Sequence, residues 1–130
     1  HYLVSYKIFK DNKIFGSGPK TFRLECKDPK YYVSKYSCST HPHGTYFQIL
    51  AETGLIGFSI LALLFIILIW YSIKKMFKKN NSIFEICLLS CFLMTLWPII
   101  PSGNFFNNWM SSIYFMPLGL FLWHINKSKT

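Results

Sequence analysis

The sequence predicts an all-α, polytopic transmembrane protein with three spans behind a water-facing loop. Three observations predict it. Apolar residues make up 52% of the chain and charged residues 15%, against about 25% charged in soluble domains. The charge is concentrated in residues 1–53 and sparse over residues 54–125. The sparse part holds apolar runs of the length a bilayer demands of a helix, about 20 residues.

The first span is expected over residues 54–73, GLIGFSILALLFIILIWYSI, which contain no charge and no proline. A buried helix of a soluble protein is rarely so long and so apolar on every side. The second is expected over 83–101. Glu85 stands at its start within reach of the interface, and Pro98 and Pro101 weaken or end it. Cys87 and Cys91 sit four residues apart inside it with no His or acid beside them, which reads as two buried, inert thiols. The third span is expected over 109–125, with Trp109 and Trp123 near its ends as in an aromatic belt and Pro117 as a kink.

Orientation follows from the basic residues. Lys74, Lys75, Lys78 and Lys79 follow the first span, Lys127 and Lys129 follow the third, and the connection SGNFFNN around Asn104 is uncharged. By the positive-inside rule the lysine-bearing ends are cytoplasmic, and residues 1–53 face outward with the Asn104 loop. The loop's own seven Lys and Arg23 pull the other way, but long loops weigh less in this rule. The net charge of +9 does not indicate nucleic acid, because no zinc-finger spacing or RNA-binding aromatic motif accompanies it. The chain opens on His1 with neither a basic stretch nor a short apolar run with a cleavage site. It is expected to be the C-terminal piece of a longer protein whose further transmembrane helices lie upstream.

Residues 1–9, HYLVSYKIF, suit the end of a helix or an interfacial segment. Gly16 and Gly18 flank Ser17 ahead of Pro19; glycines there allow close backbone approach to a ligand, or simply a turn. Cys26 and Cys38 share the outward loop. On an oxidising face they can form a disulfide that closes a short loop, and otherwise they are two free thiols. The capping-box spacing of Thr45 and Gln48 predicts a helix from Thr45 into the first span. Thr45, Gln48 and Glu52 share one face of it, and Phe47, Leu50 and Ala51 another.

His41 and His43 therefore stand just ahead of a helix N-terminus, where free N–H groups suit an anion such as phosphate. Three readings compete for them. His-Pro-His supplies two metal ligands with no acid or Cys at ligand spacing. The pair also suits ordinary interfacial histidines. The third reading is substrate contact or general-base catalysis.

The ordered string His41-Pro42-His43, Phe47-Gln48-Ile49-Leu50-Ala51-Glu52 and Gly54-Leu55-Ile56-Gly57, with Gly16-Ser17-Gly18, Phe22-Arg23, Cys26 and Cys38 ahead of it, resembles the O-antigen ligase/polymerase family of bacterial envelope enzymes. The resemblance runs from about Ile14 to the end and is strongest from Gly16 to Phe58. It implies a metal-independent, cofactor-free glycosyltransferase of the bacterial inner membrane with a large periplasmic loop. Its donor is a glycan on undecaprenyl diphosphate, and its acceptor is lipid A core in a ligase or another glycan repeat in a polymerase. The family's functional His matches His43, and a functional Arg of the same loop matches Arg23. The family usually has Asn after this His, where Gly44 stands here.

The residues suit that chemistry. A leaving diphosphate needs positive charge, which Arg supplies as a fork of donors, and loop lysines attract an anionic carrier at longer range. His43 is the candidate base for the acceptor hydroxyl. His41, Gln48, Glu52, Gly16 and Gly18 are candidate substrate contacts, Glu52 reading most simply as a solvated carboxylate at a helix end. The alternative is non-enzymatic: a membrane transport or assembly subunit whose outer loop binds anions. Such a fragment is not expected to act alone.

Overall fold

A computed structural model describes residues 1–77 and 82–127, so Lys78, Lys79 and Lys129 lie outside the described residues. The described chain is all-helical, in the order α1 (Tyr2–Asp11), α2 (Phe22–Glu25), a 3-10 turn (Pro29–Tyr31), α3 (Thr45–Met76), α4 (Ile83–Thr95) and α5 (Asn108–Lys127).

The outward half is organised around α1. Val4, Ser5 and Ile8 recur at helical spacing and are buried, while lysines take the other side of the helix. They close over Phe22, Cys26, Tyr31 and Ala51 to form a small core, with Ala51 contributed by α3. Cys26 and Cys38 are bonded with their Cα atoms 5.2 Å apart. The bond ties the end of α2 to the segment that leads to the histidines.

α3 is one helix with a break. Gly54 sits at φ 65°, ψ −160°, a conformation open essentially only to glycine. At the break Leu55 N–H turns to Lys13 O (2.8 Å) and Ile56 N–H to Ile14 O (3.4 Å). The carbonyls of Ala51 and Glu52 accept instead from Ser17 (3.0 Å) and Gly18 (2.9 Å). Residues 13–18 thus strap the break and take up the backbone groups it frees, which an apolar setting requires.

Among the described residues one helix, Thr45–Lys75, is long and apolar enough to cross a membrane. From Gly54 to Met76 it rises about 34 Å at 1.5 Å per residue. Ile60, Leu63, Ile66, Trp70 and Ile73 point outward from it. α4 differs from the expected second span. It stops at Thr95, with Leu96 outside helical geometry, because the residue before a proline is pushed out of the α region and Pro98 has no N–H to continue the ladder. Its 13 residues rise about 20 Å. α5 runs one residue earlier and two later than expected, straight through Pro117.

The three apolar helices meet along a narrow seam: Leu61 and Leu68 of α3, Leu88, Leu89 and Phe92 of α4, and Phe121 of α5. Cys87 and Cys91 lie off that seam and are exposed, so the expectation of buried thiols is corrected. Leu88, Leu89 and Phe92 occupy the packed side of α4 and turn the cysteines outward. Glu85 does not reach into solvent. It is buried between Tyr71 Oη (2.6 Å) and Lys75 Nζ (2.7 Å), joining the far ends of α3 and α4.

Candidate functional site

The start of α3 carries the site. The helix begins at Thr45, the residue marked by the capping-box spacing, yet no side chain caps it. Thr45 Oγ1 donates instead to Ser102 Oγ at 2.7 Å, across 57 residues of sequence. The helix's polar face is turned inward. Thr45, Gln48 and Glu52 are 4%, 1% and 1% exposed, while Phe47 is 37% exposed. This corrects the reading of Glu52 as a solvated carboxylate. Its Oε1 accepts from Phe22 N–H (2.8 Å) at the start of α2, and its Oε2 accepts from Gln48 Nε2 (3.0 Å). Gln48 Nε2 also donates to Asn104 Oδ1 (2.7 Å), and Gln48 Oε1 accepts from Phe105 N–H (2.9 Å). Asn104 Oδ1 accepts once more, from Phe106 N–H at 3.0 Å. One buried network therefore fastens α2, α3 and the α4–α5 loop together, with both Glu52 oxygens and the Gln48 amide partnered as burial demands.

Above this network the backbone turns sharply. His43 has φ 59°, a left-handed conformation that disfavours side chains. Its carbonyl accepts from Tyr2 Oη (3.3 Å) and Ser102 N–H (3.2 Å). The His43 ring is exposed and stands 4.3 Å from the His41 ring and 5.1 Å from the His1 ring, centroid to centroid. Burial, and then the neighbouring His43, hold the His41 imidazole below its ordinary pKa, so it stays neutral near pH 7. Thr40 Oγ1 lies 3.0 Å from His41 Nδ1. Gly44 has a local reason: a Cβ there would lie 2.9 Å from the Tyr2 ring, which stacks on Phe47 at 4.5 Å. Tyr2 fills the space that an Asn side chain needs.

Arg23 is exposed on α2. With Lys27, Cys38, Ser39 and Thr40 it lines an open pocket of about 470 Å³. The same Thr40 touches His41, so pocket and histidine ledge share one surface, with the disulfide at Cys38 as its rim. Gly16 and Gly18 stand apart from the histidines, on the strap. The open side of Gly16 is filled by the backbone of Glu52 and Thr53, so its close approach is to the chain's own helix. Among the described residues no three His, Cys, Asp or Glu side chains are grouped to hold a metal ion. Sequence reasoning missed Tyr2, Thr40, Ser102 and Asn104 as parts of this region. A polar, uncharged Ser-Gly-Asn between two apolar runs was the available signal for the last two.

A family model described as O-antigen ligase matches residues 1–62. That stretch holds α1, the strap, both bonded cysteines, Arg23, both histidines and the broken start of α3, and residues 63–130 lie outside it. No curated protein and no solved structure matches the chain. Residues 1–62, which run into the membrane-length helix, are thus similar to the O-antigen ligase family.

Proposed function

We propose that this chain is the catalytic-loop part of a membrane glycosyltransferase that moves a glycan from undecaprenyl diphosphate to an acceptor sugar hydroxyl. The acceptor is lipid A core or another carrier-linked repeat. One observation carries the reading: Thr40 lines the pocket that holds Arg23 and Lys27 and also contacts His41, whose ring stands 4.3 Å from that of the exposed His43. The base and the cationic pocket suit the two ends of one displacement. His43 takes the proton of the acceptor hydroxyl as its oxygen bonds to the anomeric carbon. The bond from that carbon to the diphosphate oxygen breaks, and the departing diphosphate carries the electron pair. Arg23 and Lys27 stabilise the negative charge that develops there. The neutral His41 beside His43 keeps positive charge from gathering around the base.

In this reading residues 1–53 and the Asn104 loop are periplasmic. α3, α4 and α5 cross or enter the inner membrane, and Lys74, Lys75 and Lys127 mark the cytoplasmic side. The test uses the natural full-length gene in a host lacking its own enzyme. Wild type, His43→Ala and Arg23→Ala are brought to equal membrane levels, and surface glycan is read on a lipopolysaccharide gel. Wild type is expected to restore a glycan ladder or capped core, and both variants are expected to lose it. Full activity in His43→Ala rules out the base assignment. Failure of wild type with purified native carrier lipid rules out glycan transfer and favours an anion-binding transport or assembly role.

A further inference from the structure

We infer that the loop between α4 and α5 is a working part of the histidine site, with Ser102 and Asn104 as the positioning residues that hold His43. This inference rests on the proposed role of His43. The left-handed turn at His43 (φ 59°) persists only if its surroundings fix it. Two donors do so through its carbonyl, and one of them is Ser102 N–H, 3.2 Å away. The other is Tyr2 Oη, at 3.3 Å. Ser102 Oγ also accepts from Thr45 Oγ1 at 2.7 Å. One loop residue thus touches His43 and the first residue of α3.

Asn104 keeps Ser102 in place. Its Oδ1 accepts from Gln48 Nε2 (2.7 Å), a side chain only 1% exposed, while Phe105 N–H returns to Gln48 Oε1 (2.9 Å). The loop therefore closes on His43 and on the first turn of α3 at residues 45 and 48, and together these contacts set where the imidazole stands. All of these loop residues lie beyond residue 62, where the family match ends. The site is assembled only when α4 and α5 bring that loop back over α3.

The test uses the full-length protein in membranes, with undecaprenyl-diphosphate glycan purified from the same cells as donor. Thr45→Cys combined with Ser102→Cys is expected to cross-link on oxidation, as the 2.7 Å approach of the two hydroxyls requires. Asn104→Leu is expected to lower kcat by about tenfold with the donor KM within about twofold, the pattern of a displaced catalytic group. Asn104→Asp keeps the accepting oxygen and is expected to return kcat to within about threefold of wild type. A failed 45–102 cross-link, a wild-type kcat in Asn104→Leu, or equal losses in the Leu and Asp variants each overturn the positioning role. Normal turnover in His43→Gln overturns the reading of His43 itself, and the inference with it. A dead His43→Gln beside a silent Asn104→Leu overturns the positioning alone.

Discussion

Among the described residues two carboxylates are buried, one in each half of the molecule, and they are held by opposite means. Glu52, 1% exposed, is met by a backbone N–H and a side-chain amide. Glu85, 5% exposed, is met by an ammonium and a phenol. Around Glu52 the chain is dense with long-range polar contacts that reach α2 and the α4–α5 loop. Around Glu85 the helices share a thin apolar seam and show most of their surface to the surroundings. The difference teaches where precision is needed. In the topology proposed above, α3, α4 and α5 meet lipid, where helices gain little from burying apolar faces against each other and are joined by a few polar contacts. The histidine site then faces water, and its backbone turns need fixing from several sides.

The comparison breaks most completely at the strap. Gly54→Ala puts a Cβ against the Ile14 carbonyl in a backbone conformation that side chains rarely adopt. The expected cost is about 3 kcal/mol or more, read as loss of the protein from membranes and rapid proteolysis of the loop. Gly119→Ala in α5 has open space around it and is expected to leave both unchanged; equal damage from the two would show that the strap is no special point.

Next in size is the contrast between the carboxylates. Glu52→Leu orphans Phe22 N–H and one N–H of Gln48, for about 2–6 kcal/mol at about 1–3 per buried unsatisfied group. Glu85→Leu leaves Lys75 at the end of α3, where its stem can carry the ammonium toward water, for about 1 kcal/mol. Thermal unfolding of the detergent-solubilised protein measures both, and equal shifts would refute the distinction drawn between the halves.

The smallest effect is electrostatic. His41 has a folded pKa below its ordinary value of 6.5, chiefly from burial. Between the two values the unfolded chain binds more protons than the folded one, so stability rises with pH through that window and falls on acidification below about 6.5. His41→Asn is expected to flatten that slope in melting curves taken across the window. An unchanged slope would assign the acid sensitivity to other groups.

Local pattern carried much of this architecture into the sequence. The capping-box residue Thr45 does open α3, and the charge-free run behind it makes the membrane-length helix. His41 and His43 stand ahead of that helix as their spacing suggested. What local pattern could not carry was partnership at a distance. Glu52 looks like an ordinary helix-end acid until Phe22, 30 residues earlier, is folded against it. Gln48 looks like a surface glutamine until Asn104, 56 residues later, arrives. Cys87 and Cys91 follow helical spacing, but spacing alone does not say which side of α4 meets its neighbours. Gly16 and Gly54 each signal a close backbone approach, and nothing in their own neighbourhoods says that each approaches the other's segment.

The mutual approach of those two glycines restricts how the sequence can drift. The atoms that crowd Gly16 belong to the main chain of Glu52 and Thr53, and those that crowd Gly54 to the main chain of Ile14 and Gly16. Trimming a neighbouring side chain relieves neither, since every residue type brings the same backbone. A larger residue at either position therefore has no compensating partner elsewhere, and each glycine must be inherited unchanged on its own account rather than traded as one of a covarying pair.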